Sequence, residues 1–90
     1  MEYLKGENRF YVLDGDKEIG QITYSLDGED TWVIDHTGVN PDYRGLGIAE
    51  TLVKLVVDQA VSEDKKIVPL CSYAAKLFSR KPEYQKIEKK

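Results

Sequence analysis

The residues Arg44-Gly45-Leu46-Gly47 separate a β-rich stretch from a helical one, and the chain's one histidine and one cysteine flank them at His36 and Cys71. Glycines at a strand-to-helix junction let the backbone come close to a ligand. The first N–H groups of the helix are unsatisfied donors at the positive end of its dipole. Such a junction is suited to holding phosphate. It is not a P-loop, because no Gly-Lys-Ser/Thr follows, and it is not a dinucleotide fingerprint, because Glu50 stands where the third glycine would be. The competing reading of the local pattern is a tight turn that binds nothing.

Cys71 cannot form an internal disulfide or build a Cys-based zinc site alone. It ends the apolar run Ile67-Val68-Pro69-Leu70, and Ser72 is placed to cap a helix behind it. The positive end of that helix favours a thiolate, the form a nucleophile needs. The same placement suits a buried, inert thiol. His36 is read on one strand face with Trp32 and Ile34, as a packed, hydrogen-bonded ring or, if Cys71 lies opposite, as a general base for the thiol or an amine. Tyr73 offers a phenol that packs or acts as general acid. The acidic residues Asp14, Asp16, Asp27, Glu29 and Asp30 gather at two hairpin ends, where turn chemistry explains them, so no metal site is expected.

The elements that must position these groups follow from periodicity. Arg9 to Leu13 is a short strand ending at Asp14-Gly15. Ile19 to Leu26 alternates, with Ile22, Tyr24 and Leu26 on one face, and Asp27-Gly28 turns the chain into a third strand, Thr31 to Val39. Ile48 to Ala60 has apolar residues at helical spacing, with Lys54 and Asp58 four apart on its outer face. A strand at Ile67–Leu70 and a helix at Tyr73–Arg80 complete a β-β-β-α-β-α order, with Pro82 just past the last helix. The Lys-rich end, Lys86 to Lys90, reads as frayed, or as a weak attraction for anionic phosphates.

The chain has 90 residues, 41% of them apolar, and a formal charge of −3. Residues 1–90 therefore read as one small α/β domain. A chain this short buries only about 60–65% of its unfolded surface, so chemistry belongs in an open groove. The charge gives no support to nucleic-acid or polybasic membrane binding. No segment approaches the ~20 apolar residues of a membrane span, and Met1 to Gly6 has no apolar h-region. The expectation is a soluble, cytoplasmic monomer.

The run Val39-x-Pro41-x-x-Arg44-Gly45-x-Gly47-x-Ala49 resembles the Q/R-x-x-G-x-G/A signature with which the GNAT superfamily of N-acetyltransferases holds the pyrophosphate of acyl-CoA. It is most similar to the very small, minimal (YjdJ-type) subgroup. There His-Thr-x-Val precedes the loop and Pro-Leu-Cys-Ser-Tyr follows the helix. Here these are His36-Thr37-Gly38-Val39 and Pro69-Leu70-Cys71-Ser72-Tyr73, with a later Pro82-Glu83-Tyr84.

The resemblance implies a small GNAT-like fold: an antiparallel meander, a phosphate-binding loop and helix, a strand paired parallel to the preceding one, and a C-terminal helix. It implies acetyl-CoA, or another acyl-CoA, as the bound group, and an amine as acceptor. Backbone groups of Gly45, Leu46, Gly47, Ile48 and Ala49 would wrap the pyrophosphate beside Arg44. Main-chain groups of Thr37 and Val39 would pair with pantetheine, Ser72 would lie along its path, and Phe78 would either line that path or pack in the core, where its helical spacing with Ala74 and Leu77 also places it. Cys71 and His36 would be catalytic. The helices that usually wall the acceptor side have no room between these strands, so that side must be open, supplied by a partner, or absent. A non-catalytic acyl-CoA-binding or regulatory module is the alternative.

Overall fold

Five strands lie in one sheet of order β1-β2-β3-β4-β5 in the computed structural model, which describes residues 1–89. They are β1 (Glu2–Gly6), β2 (Arg9–Asp14), β3 (Lys17–Asp27), β4 (Thr31–Val39) and β5 (Lys66–Pro69). β1 to β4 pair antiparallel, and β5 pairs parallel to β4 over Thr31↔Lys66 to Ile34↔Pro69. The crossover between those two strands is α1 (Ile48–Ser62), and α2 (Ser72–Arg80) and α3 (Pro82–Gln85) follow β5. The expected meander, helix, parallel strand and helix are all present.

All the helices pack on one face of the sheet. Phe10, Val12, Ile22, Tyr24, Trp32 and Ile34 point to that face and form one core with Ile48, Leu52, Val53, Val56 and Ala60 of α1 and with Ala74, Leu77 and Phe78 of α2. Lys54 and Asp58 meet on the solvent side of α1 at 2.7 Å. No helix interrupts the first four strands, so the opposite face, carrying Arg9, Tyr11, Thr23 and His36, has no layer over it. These four residues are half-buried or exposed.

Three parts of the chain differ from the sequence expectation. β1 pairs with β2 from Glu2↔Leu13 to Gly6↔Arg9; its only consecutive apolar pair, Tyr3-Leu4, carries too little alternation to read as a strand. Pro82 begins α3 rather than simply ending α2, and Tyr84 is buried with its ring centroid 5.3 Å from that of Phe78. The tail is not frayed as far as Lys89. Ile87 O accepts from Ile67 N at 2.8 Å, and Lys89 N donates to Ile67 O at 2.8 Å, which covers the free edge of β5. Lys90 lies outside the described residues. Because Ile87 packs half-buried against the core, Ile87→Ala is expected to lower stability by about 1–2 kcal/mol, a partial share of a buried aliphatic truncation. Urea unfolding checks this through a shift in midpoint at unchanged slope.

Candidate active site

The register of β4 on β3 slips between Thr23 and Tyr24. Tyr24 faces Ile34 and Thr23 faces His36, leaving Asp35 as the extra residue of a β-bulge. A bulge inserts one residue and reverses the phase of everything after it. Trp32 and Ile34 are buried, Asp35 and His36 are both exposed, and Thr37 turns back inward. The expectation that His36 shares a face with Trp32 and Ile34 is therefore corrected: Thr37 takes that place, and the imidazole lies on the uncovered face over Gly38. A Cβ built on Gly38 would come within 2.9 Å of His36 Nε2, so glycine there leaves room for the ring.

The same phase change sets the direction of the main chain. Asn40 N donates to Ile19 O at 2.7 Å, so Asn40 and, two residues before it, Gly38 direct their main-chain groups toward β3. Thr37 and Val39 then direct theirs to the other edge of β4. No strand occupies that edge, because pairing with β5 ends at Ile34↔Pro69. The last bond across is Cys71 N to Ile34 O, at 3.1 Å. Beyond it the two strands separate, and the free main-chain groups of Thr37 and Val39 line the opening.

The far end of the opening is the glycine loop. A 3₁₀ turn, Pro41–Tyr43, is started by Asn40, whose side chain accepts from Asp42 N at 2.9 Å. The Tyr43 hydroxyl donates to Asp14, which ties the turn to the β2–β3 hairpin; this bond pushes the Tyr43 phenol above its ordinary pKa. Gly45 and Gly47 have φ of 81° and 74°, a region that favours glycine. Gly47 is the N-cap of α1 and offers no side-chain cap. The first N–H of the helix bound inside it is that of Thr51, to Gly47 O at 3.0 Å, so those of Ile48, Ala49 and Glu50 have no partner within α1. They face a cleft of about 240 Å³ lined by Val39, Tyr43, Arg44, Gly45, Glu50 and Tyr73, among others. A Cβ at Gly45 or Gly47 would meet no atom within 4 Å, so the space over the loop is open. Glu50 is the one anion in the first turn, and Lys81 holds its carboxylate at 3.4 Å.

Cys71 sits at the mouth of the opening, half-buried and free. Its Sγ is 3.4 Å from Thr37 Oγ1 and accepts from Ala74 N at 3.4 Å. Cys71 is thus itself the N-cap of α2, a correction to the expected cap, Ser72, which is the first residue of the helix. Phe78 is 1% exposed and belongs to the core, not to the opening. Tyr73 stands on the first turn of α2 at the wall of the cleft. Burial, aided by the Glu50 carboxylate, raises its phenol pKa, so it keeps its proton at neutral pH. Leu46 is 60% exposed on the loop, and Arg44 is exposed beside it. The structure therefore brings together Thr37, Val39, the 44–49 loop and Cys71, and sets His36 on the other side of the same strand. The Thr37 hydroxyl as the sulfur's partner was not legible in the sequence; the consecutive polar pair Asp35-His36 inside an apolar strand was the one available sign of the bulge.

The free helix N–H groups of the loop, the opening between β4 and β5 and the Cys71 thiol thus lie along one side of the fold. The sequence profile of the GCN5-related N-acetyltransferases matches residues 9–87. The chain belongs to this family. Among its relatives, Protein NATD1 of Danio rerio is 32% identical over 90 residues, covering 99% of this chain and 82% of that one. Protein NATD1 of Gallus gallus is 33% identical over 89 residues, covering 98% and 81%. A GCN5-like protein from Staphylococcus aureus, solved by NMR, superposes with a TM-score of 0.81 at 34% identity over 98% of this chain and 87% of its own. Arabidopsis thaliana Naa50, solved with the bisubstrate analogue CoA-Ac-MVNAL, gives 0.64 at 25% identity over 83% of this chain and 55% of its own. The N-acetylglutamate synthase of Neisseria gonorrhoeae, at 17% identity and a TM-score of 0.69, covers 81% of this chain with 18% of its own and shares the fold. The minimal GCN5-related fold expected from the motifs is the fold observed.

Proposed function

We propose that residues 1–90 act as a single minimal acetyltransferase domain that moves an acetyl group from acetyl-CoA to an amine. The observation that carries this reading is the split between β4 and β5, which has the N–H groups of Ile48, Ala49 and Glu50, unpaired within α1, toward one end and the Cys71 thiol toward the other. Acetyl-CoA supplies an activated thioester carbonyl. The unbonded N–H groups of Ile48 and Ala49, with the loop from Arg44 to Gly47, hold the pyrophosphate. The main-chain groups of Thr37 and Val39 take up the pantetheine amides as an added strand would.

Cys71 Sγ attacks the thioester carbonyl and CoA leaves as its thiolate, an exchange between thioesters that is close to neutral in energy; the amine then forms the amide as the bond from the acetyl carbon to Cys71 Sγ breaks. The Thr37 hydroxyl and the Ala74 N–H, both beside the sulfur, stabilise it while it carries charge. His36, on the uncovered face one residue from Thr37, takes the proton of the incoming amine. Tyr73, held protonated, faces the cleft as a donor.

Replacing Thr37 with valine keeps shape and strand propensity and removes one hydrogen bond to the sulfur. Acetyl-CoA affinity should hold within about twofold, and kcat should fall about three- to tenfold, which is what one such bond is worth. Amine-dependent release of free CoA thiol tests the reaction. Wild-type protein with acetyl-CoA should release CoA when an alkylamine is added. The absence of an acceptor wall on the open face favours a second reading, an acyl-CoA-binding module without transfer. Saturable binding with no release by any amine selects that reading.

A further inference from the structure

The uncovered sheet face carries a group that the transfer scheme does not use. The bulge puts Asp35 beside His36 on that face. Asp35 Oδ2 accepts from Ser25 Oγ, and Ser25 stands opposite Val33, which fixes the carboxylate on the outer side of the sheet. Thr23 stands opposite His36, so two hydroxyls, an imidazole and a carboxylate share a patch two strands wide. By register the same face also carries Glu2, Asp27 and Lys66 toward its ends, while Arg9 and Glu18 pair with each other at 2.8 Å, with the guanidinium also 4.2 Å from the centre of the Tyr11 ring. No cation pairs with Asp35 among the described residues. Asp35 and His36 are also the first residues of β4 beyond its pairing with β5. They stand on the open side of the sheet where the split begins, with the Asp35 carboxylate turned toward Ser25 of β3; the other side of the sheet is closed by α1 and α2.

On the reading that this split carries out amine acetylation, we propose that Asp35 is the acceptor-binding residue and that the acceptor is a linear alkylammonium. The free Asp35 oxygen receives the –NH3⁺ group, and Ser25 holds the carboxylate in place. One N–H proton of the ammonium passes to the imidazole of His36. The neutral nitrogen then forms the C–N bond to the acetyl carbon as the C–S bond breaks, and the departing thiolate takes up a proton. A flat, unwalled face selects for charge and a slim chain rather than for shape, which a free diamine and a lysine side chain both provide.

Asp35→Asn tests this, because the amide keeps the Ser25 bond and loses only the charge at an exposed position. The variant should raise KM for n-butylamine about three- to tenfold, the range of an exposed charge-assisted contact, with kcat changed less than about twofold. KM for aniline, uncharged at neutral pH, should not follow. Binding is read separately by amide NMR: n-butylammonium should shift the signals of Ser25, Asp35 and His36 in wild type and not in the variant. A lower KM for an Nα-acetyl-lysine peptide than for 1,4-diaminobutane assigns the acceptor to proteins, and the reverse assigns it to free amines; either result, if lost in the variant, supports the site. Equal KM values for n-butylamine in wild type and Asp35→Asn, or ammonium-induced shifts elsewhere, overturn the inference. Shifts at Asp35 without any transfer uphold this site and overturn the transfer reading instead.

Discussion

Gly47→Glu is expected to abolish acetyl-CoA binding in a protein that still folds. In the free chain the substitution is mild. Gly47 has a φ of 74°, so a side chain there costs about 1–3 kcal/mol of backbone strain, and its Cβ meets no atom within 4 Å. In the complex the effect is large. The new carboxylate projects over the first turn of α1, where it occupies the unbonded N–H groups of Ile48 to Glu50 and repels any phosphate arriving there. It also joins Glu50, so the turn carries two anions and one paired lysine. A loss above about 100-fold in affinity, roughly 2.7 kcal/mol, is expected. Thermal unfolding reads both halves of the prediction. Wild type should rise in melting temperature as acetyl-CoA is added in excess, and the variant should unfold cooperatively at one temperature with or without it. Equal stabilisation of the two proteins would remove the loop from the site.

Cys71→Ser is expected to preserve the fold and acetyl-CoA affinity while lowering transfer by about 10²- to 10⁴-fold, the range for removing a positioned reactive group. Serine rather than alanine is the informative change, because Cys71 is the N-cap of α2 as well as the proposed acetyl carrier. A serine oxygen caps a helix well, whereas alanine forfeits the cap, typically about 1 kcal/mol. The alcohol is far from ionised at neutral pH, so it cannot replace the thiolate as nucleophile. Amine-dependent CoA release measured beside the unfolding midpoint separates the two roles. Transfer at the wild-type rate in the serine variant would show that the amine attacks the thioester directly, with Cys71 serving α2 alone.

How much of this was legible in the sequence depends on the range of the forces involved. The helical spacing of Ile48, Leu52, Val56 and Ala60, the Asp-Gly turns after β2 and β3, and the Arg44-Gly45-Leu46-Gly47 junction are local patterns, and each placed its element. The bulge at Asp35 is not local. It is set by the pairing of β4 with β3 on one side and by the end of β5 on the other, so strict alternation carried His36 to the wrong face and hid the Thr37 hydroxyl. The cap of α2 was displaced by one residue because sulfur is a poor cap on propensity grounds, and only the chain direction after Pro69 makes it one. β1 and the Ile87–Lys89 segment have too few apolar residues to announce themselves; the open edges of β2 and β5 recruit them through main-chain bonds. Phe78, read either along the pantetheine or in the core, takes the second place, held there in part by Tyr84 of a helix the sequence pattern did not reveal.

The most direct measurement is isothermal titration of acetyl-CoA into the wild-type protein. Saturable binding of one acetyl-CoA per chain is the predicted result, because Val39 both lines the cleft over the loop N–H groups and stands on the unpaired edge of β4. A folded wild-type protein that takes up no acetyl-CoA would contradict the proposed site and with it every catalytic role assigned around Cys71.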